Sequence, residues 1–486
     1  MRTVLEKILK NDDFFQSLFG NDPHLIEAKR RMLEIVLSRF SQRFGNAIQG
    51  GVVHLVTAPN RVELLGKHTD YQGGETLLLT GPKNFFALAA PSADGITHLV
   101  NADPDLGETV FKIQEGALHI IEEGVGANYS RQVVTRLTNN LARAGFPPLR
   151  NVKAVFLGDI PIGGGTSGSS AKVITDFLVL TSSSGLIENE GFKRIIISNG
   201  EKAGLRMNQQ GLDNYLLSLS MYIAHYENGL DFGELKGDRG VGTFGGSEDH
   251  TAIILGKKNR LLFCRYCPTE LIETVFIPDG YSVVVAYSGK RAEKTKNAMA
   301  QYNRLSGDAS AAVDALNRIN GTSNALLRDF FQDLEPHERT EAVRDQLKRV
   351  SKSGDFAGRA YQFFRELDII YRAVACLKEE LMEEYGRLIN ESHDLSREYL
   401  KNIAPEVDGL QQSANKLGAL GATGFGGGFG GSCYAVVEAR RTEDFIGAWR
   451  KAYLDRFPQY RELAEFDVYP ACAGARWESQ KLCLME

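Results

Sequence analysis

Long apolar runs are missing from this chain: no stretch of its 486 residues approaches the ~18 apolar residues that a membrane span requires. A dominant charge is missing too. Lys and Arg number 56 against 61 Asp and Glu, a formal charge of −5 that gives no general attraction to nucleic acid or to an anionic membrane surface. Any phosphate site must therefore be built locally, and no basic stripe or aromatic platform points to nucleic acid as a partner. Cysteine is scarce, with six residues at 264, 267, 376, 433, 472 and 483 and no framework spacing, which excludes a disulfide scaffold and suits a reducing cytosol. Cys264 and Cys267 are the one close pair; with no second Cys or His pair at zinc spacing they read as structural thiols. Internal repeats, low-complexity tracts and linkers rich in Pro or Ser are absent, and no Gly-Lys-Ser or Gly-Lys-Thr ending of a Walker-type loop occurs. The first ten residues alternate charged and apolar side chains and lack the apolar centre of a signal peptide, so a cytoplasmic location is expected.

The length points to two or three domains with ample apolar material for their cores. Residues 24–44 carry Leu25, Ala28, Met32, Ile35, Val36 and Phe40 at helical spacing. Val52 to Thr57, Leu77 to Leu79, Phe85 to Ala89 and Val152 to Leu157 read as strands, the first stopping at Ala58-Pro59. Ile253 to Phe263 reads as two strands joined by a polar turn, Tyr281 to Tyr287 as another strand, and 291–317, 335–351 and 366–400 as charged amphipathic helices. A boundary is expected at Pro278-Asp279-Gly280, giving domains 1–278 and 279–486.

Three glycine-rich stretches occur in order, and the first runs straight into His68-Thr69-Asp70-Tyr71. The second, Gly163 to Ser170, lies between a predicted strand and a predicted helix over Ala171 to Leu180. Its residues Gly163, Gly165, Thr166, Ser167, Gly168, Ser169 and Ser170 have the makings of an anion cradle. Missing Cβ atoms let backbone N–H groups face a polyphosphate, the helix amino end adds partial positive charge, and hydroxyls can donate to phosphate or join a magnesium shell. Taken alone, the same segment also reads as a flexible surface turn. The third stretch is Gly424 to Gly431.

These residues resemble the GHMP group of sugar kinases, and galactokinase in particular. Ala58 to Gly74 parallels the galactokinase signature Ala-Pro-Gly-Arg-Val-Asn-Leu-Ile-Gly-Glu-His-Thr-Asp-Tyr-Asn-Gly-Gly. Pro161 to Ala171 is similar to the family's phosphate loop and Gly426 to Gly431 to its Gly-Gly-Gly-Phe-Gly-Gly stretch; Asn390 to Ser396, Pro405 to Asp408, and Pro470 with Gly474-Ala475 also follow the galactokinase pattern. The resemblance covers roughly residues 45–476. It implies an α+β, two-domain GHMP kinase fold with the active site in the inter-domain cleft, ATP and Mg2+ as cofactors, and a sugar and a nucleotide as small-molecule partners. It further implies that Arg61 stabilises charge on the transferred phosphoryl group, that His68 and Asp70 bind sugar hydroxyls, that Gly246 touches the sugar through its backbone, and that Tyr302 contacts the sugar. Asp249 is expected to face the anomeric hydroxyl, with Asp213 as its competitor; preferring Asp249 requires an insertion around 200–240.

The chain departs from the family pattern at four places. The resemblance implies phosphorylation of galactose or a close relative, and Lys67 stands where galactokinase has the glutamate that meets the sugar's far end; since Lys only donates, it points away from plain galactose to a relative differing at carbon six, such as galacturonate or arabinose. Asn60 and Glu63 replace a glycine and an asparagine of the signature. Thr166 and Gly168 replace a leucine and a serine of the phosphate loop, and Val173 stands where a glutamate helps hold magnesium, which leaves Ser169 as the expected metal ligand. Phe425 replaces a threonine. The altered metal position motivates a second reading, a sensor that binds ATP and sugar without turnover; a third is an enzyme of the same group acting on mevalonate, homoserine or a similar alcohol.

Overall fold

The computed structural model describes residues 7–45, 52–114, 117–122, 126–209, 212–242, 245–292, 296–348 and 355–481. Asn11 and Asp22 each turn a side-chain oxygen onto unclaimed backbone N–H groups, of Phe14 and of His24 and Leu25, and so start α1 (Asp12–Phe19) and α2 (Pro23–Phe44). The chain then enters two long strands, β1 (Val52–Leu65) and β2 (Glu75–Pro91), joined by the turn that carries His68 and Asp70. They are followed by β3 (Thr97–Asn101), β4 (Glu108–Gln114), β5 (Ala117–Glu122), α3 (Ala127–Arg143) and β6 (Val152–Gly158). Helices α4 (Gly168–Ser183), α5 (Glu190–Lys202), α6 (Asn214–Asn228) and α7 (Glu248–Leu255) come next, then β7 (Leu261–Arg265) and β8 (Glu270–Val275).

Beyond that point lie β9 (Tyr281–Tyr287), the helices α8 (Lys296–Asn320), α9 (Pro336–Lys348), α10 (Asp355–Lys378), α11 (Met382–Leu395) and α12 (Pro405–Lys416), and then β10 (Gly421–Gly424), β11 (Ser432–Glu438), α13 (Thr442–Arg456), β12 (Glu465–Val468) and β13 (Arg476–Lys481). Two sheets result. The larger runs β13-β1-β2-β6-β3-β4-β5, with β7 on β2 and β8 on β7; the smaller runs β10-β11-β9-β12. Strands β1 to β8, before Pro278, belong to the larger sheet and β9 to β12, after it, to the smaller, but β13 returns to the larger sheet and pairs Val52 with Lys481 through Thr57 with Arg476.

Alternation along β1 assigns its side chains to different cores. Val53 and Leu55 pack with Val36 and Phe40 of α2, Val56 and Ala58 with Ile174 and Phe177 of α4, and Val62 and Leu64 with Phe363 and Leu367 of α10. One strand thereby reaches from the amino-terminal core into the carboxyl-terminal one. The strand does not stop at Pro59, as its sequence suggested, but continues through a register shift between Pro59 and Arg61, where the irregular pairing accommodates a proline that cannot donate. Likewise β2 is one strand where two were expected. The predicted strand at Ile253 is helical, because Ser247, Glu248 and Asp249 begin α7 with acidic residues in its first turn, which favours a helix start over a strand.

Lys29 of α2 is almost wholly buried and donates to Asp159 Oδ2 at 2.6 Å, while Asp159 Oδ1 accepts the Asn84 N–H at 2.8 Å. Burial pulls the Lys29 ammonium below its ordinary value and Asp159 opposes that. The two ends of the pair differ in solvent access, since Asp159 keeps 38% of its side chain exposed against 2% for Lys29. Asp159→Ala, which strands a buried ammonium, is therefore expected to cost ~3–5 kcal/mol, and Lys29→Met, which leaves a hydrated carboxylate, roughly 1 kcal/mol. Urea unfolding of the two variants checks this; equal losses would contradict the asymmetry.

Candidate functional site

The bulge in β1 sets up the site. Arg61 and Glu63 follow it two residues apart, so both line a cavity of about 610 Å³ while Val62 and Leu64 point into the core. The turn after β1 adds His68, Asp70 and Tyr71, the loop between β6 and α4 adds Gly163, Gly165 and Ser167 to Ser170, and the first turn of α7 adds Glu248 and Asp249. From the other half come Arg291 and the third glycine stretch, Gly426 to Phe429. The cavity thus lies where the three glycine stretches meet.

Backbone contacts show why glycine is needed there. Gly165 has φ +73° and Gly426 φ +75°, and a Cβ on Gly426 would sit 2.6 Å from the Gly165 carbonyl oxygen. Around this close approach Ser432 donates to the Gly164 carbonyl at 2.6 Å, the Arg61 N–H to the Thr166 carbonyl at 3.2 Å, and the Gly426 N–H to Glu63 Oε2 at 2.8 Å. No side chain caps the amino end of α4, whose N-cap residue Ser167 is left-handed at φ 60°. Its first N–H groups and the adjoining hydroxyls present a partial positive charge to the cavity.

Arg61 is the hub of the charged groups. Its Nε donates to Asp249 Oδ1 at 2.8 Å and its Nη2 reaches both that oxygen and Glu248 Oε1, the latter at 3.0 Å. Ser170 adds a hydrogen bond to Asp249 Oδ2 at 3.3 Å. Burial would raise the Asp249 carboxyl, but the guanidinium outweighs it and holds the group at about 2. The neighbouring acids move the other way. Burial, with Asp249 next in effect, lifts Asp70 to about 6; burial raises Glu63 to about 7 against the Arg61 and Lys67 cations, and burial followed by the Glu63 charge raises Glu248. His68 is driven down to about 3 by burial and by the nearby Arg359 and Lys67 cations, so its ring is neutral.

Several expected residues stand elsewhere. Lys67 does not line the cavity; its ammonium points into the carboxyl-terminal half and donates to Ser392 Oγ and Thr423 Oγ1, each at 2.7 Å. The reason is local: Lys67 follows the end of β1 beside His68, and consecutive residues there face opposite ways. The Thr166 hydroxyl is likewise buried off the cavity and finds no partner, so the residue contributes its carbonyl and not its side chain. Asp213 is accounted for as the N-cap of α6, accepting from Tyr215 and Leu216, and does not line the cavity, whereas Asp249 does. Gly246 lines it too, against Asp70, where a Cβ would run into the carboxylate. Val173 is packed in the core beside Ile174 and Phe177. Tyr302 lies in α8 with its side chain outside the described residues.

Other lining residues had no sequence signal of their own. Phe85, Tyr129 and Phe156 form an apolar stretch of wall; Phe85 and Phe156 read only as strand positions, and Tyr129 lies outside every predicted element. Lys172, one turn into α4, lies over the Phe156 ring at 4.5 Å with its ammonium paired to Asp176. Glu63 and Glu248 were legible only as neighbours of Arg61 and Asp249.

Comparison with known proteins gives matches to the family models "Galactokinase galactose-binding signature" over residues 38–91 and "GHMP kinases C terminal" over 373–455. A galactokinase of Clostridium acetobutylicum is 24% identical over 87% of this chain and 94% of its own length, and one of Roseiflexus is 29% identical over 86% and 90%. The crystal structure of Lactococcus lactis galactokinase complexed with galactose superposes with a TM-score of 0.68 at 22% identity, covering 92% of this chain and all of that one. With one family model on the strand pair that carries Arg61 and His68, another on the half that supplies the last glycine stretch, and a shared fold over most of the chain, the protein is similar to the GHMP kinases, and to galactokinase in particular.

Proposed function

We propose that the protein transfers the terminal phosphoryl group of ATP to the anomeric hydroxyl of galactose or a neutral relative such as arabinose. The observation that carries this reading is the convergence of Asp249, Arg61 and the uncapped amino end of α4 on one cavity. Asp249, ionised at neutral pH, orients the attacking hydroxyl and accepts its proton. Arg61 fixes that carboxylate and offsets charge on the phosphoryl oxygens, while the glycine loop holds the nucleotide phosphates through backbone N–H groups. The apolar wall of Phe85, Tyr129 and Phe156 suits a purine base.

Magnesium fits as an ion that comes with the nucleotide. Among the described residues no three His, Cys, Asp or Glu side chains stand together to hold a metal, and Ser169 is the protein ligand proposed. Such an ion keeps most of its shell as phosphate oxygens and water, and neutralises charge between the phosphates.

Galacturonate is disfavoured by the same geometry. Lys67, which would have met its carboxylate, is turned away, and Glu63, Asp70, Glu248 and Asp249 crowd around the Arg61 guanidinium. An anionic sugar would bring a further charge to a place where burial, with like charges beside it, already disfavours the ionised form of three of those acids. ADP release with MgATP is accordingly expected with galactose or arabinose and not with galacturonate. Asp249→Asn should lower kcat about 10² to 10⁴-fold with the fold intact by circular dichroism. Sugar binding by calorimetry with no turnover of any sugar would favour the sensor reading instead.

The raised acids also set a pH dependence of stability. Asp70 binds its proton more tightly in the folded chain, at about 6 against an ordinary 3.8, so the folded state loses stability as pH rises between those values; Glu63 and Glu248 act in the same sense above 4.5. Asp249 acts oppositely, but only near and below 3.8. Urea midpoints of the ligand-free protein should therefore fall from pH 5 to pH 8 by more than those of Glu63→Gln; identical slopes would contradict the assignment.

A further inference from the structure

Three side chains of α10 reach across from the carboxyl-terminal half and take hold of three successive residues of the turn after β1. Glu366 Oε1 accepts the Gly66 N–H at 2.9 Å, Gln362 Nε2 donates to the Lys67 carbonyl at 3.1 Å, and Arg359 Nη2 donates to the His68 carbonyl. Residues 359, 362 and 366 are spaced by three and four, which places them on one face of a helix. All three are almost wholly buried. Arg359 also donates to Gln362 Oε1 at 2.6 Å and to the Tyr71 hydroxyl at 3.2 Å, and that hydroxyl meets His68 Nδ1 at 3.1 Å. On its far side the His68 ring meets Asn402 at 3.4 Å.

The backbone so held is strained. His68 has φ 60°, in the left-handed region that a side chain with a Cβ adopts at a cost of order 1–3 kcal/mol, and persists there only if its surroundings over-determine it. Lys67 belongs to the same assembly: its ammonium donates to Ser392 Oγ, and Ser392 donates to both oxygens of Glu366, at 2.7 and 2.9 Å. A buried cation and a buried anion are thus joined through one hydroxyl, directly behind the turn.

We infer that Arg359, Gln362 and Glu366 are positioning residues that aim His68 and Asp70 into the cavity, and that Lys67 is the cationic partner of this grip and not a reader of the sugar. The inference rests on the sugar kinase reading above. It predicts separable kinetics, because the turn touches the proposed sugar residues while the nucleotide loop lies on β6 and α4. Gln362→Leu, which leaves the buried Lys67 carbonyl unpaired, should reduce kcat/KM for the sugar ~10–100-fold while KM for MgATP moves less than about threefold. Arg359→Met should act in the same direction, with partial recovery in Arg359→Lys, which restores one donor. Lys67→Glu, which sets a carboxylate beside Glu366, should depress all sugars in parallel.

The test is steady-state kinetics of these variants against the wild type with galactose, arabinose and galacturonate, accompanied by calorimetry of sugar binding. A sugar-selective loss in Gln362→Leu supports the inference; equal loss toward sugar and nucleotide, or no loss, overturns it. A re-ranking of sugars in Lys67→Glu overturns the role given to Lys67. Wild-type turnover decides the kinase reading separately. If wild type binds sugar without turnover, the calorimetric comparison carries the inference alone, and if it binds no sugar both fall.

Discussion

Everything in the cavity is arranged around one buried guanidinium. Arg61 is taken out of water at a cost that its carboxylate neighbours offset, and whether each neighbour stays ionised depends on whether the charge and hydrogen bonds it receives outweigh its burial. Asp249, which shares two donors of Arg61, stays a carboxylate, whereas Glu63 and Glu248, further from full compensation, tend toward the protonated form. A single cation thereby separates acids of similar chemistry into one that stays ionised and others held toward the neutral form. The β1 bulge at Pro59 matters because it delivers that cation beside Glu63 without turning Val62 out of the core.

Much of this was legible in the sequence. The order of the glycine stretches and the helix after the phosphate loop follow from residue types whose roles are fixed by local chemistry, glycine where φ is positive and hydroxyls at a helix start; Arg61 and Asp249 are singled out by the resemblance alone, and their pairing appears only in the structure. The sequence favours Asp249 over Asp213, and the two differ in place: Asp213 caps its helix from outside, while Asp249 sits inside the first turn of another and lines the cavity.

What escaped the sequence was direction. Lys67 and His68 are adjacent, and which of them faces the cavity depends on a left-handed φ at His68 and on contacts from residues some three hundred positions away. The apolar wall was invisible for the same reason. Phe85 and Phe156 belong to neighbouring strands, and strand patterning tells that a phenylalanine is buried without telling whether it faces a core or a cavity. The Ile253 segment was misread because a short apolar run carries no period of its own, and its acidic first turn decides the matter.

The pairing of β1 with β13 has a consequence for how the chain is made. During synthesis, β1 and β2 emerge early, but the strand that covers the outer edge of β1 is encoded nearly the whole chain later. At about 5–20 residues per second, that edge stays open for tens of seconds. An open edge of β-rich sequence, Val52 to Thr57, is a template for pairing with any other extended chain. Nascent copies on one message are therefore most exposed to mutual association along this edge, and β13 acts as a seal that ends that exposure once it has been made and paired.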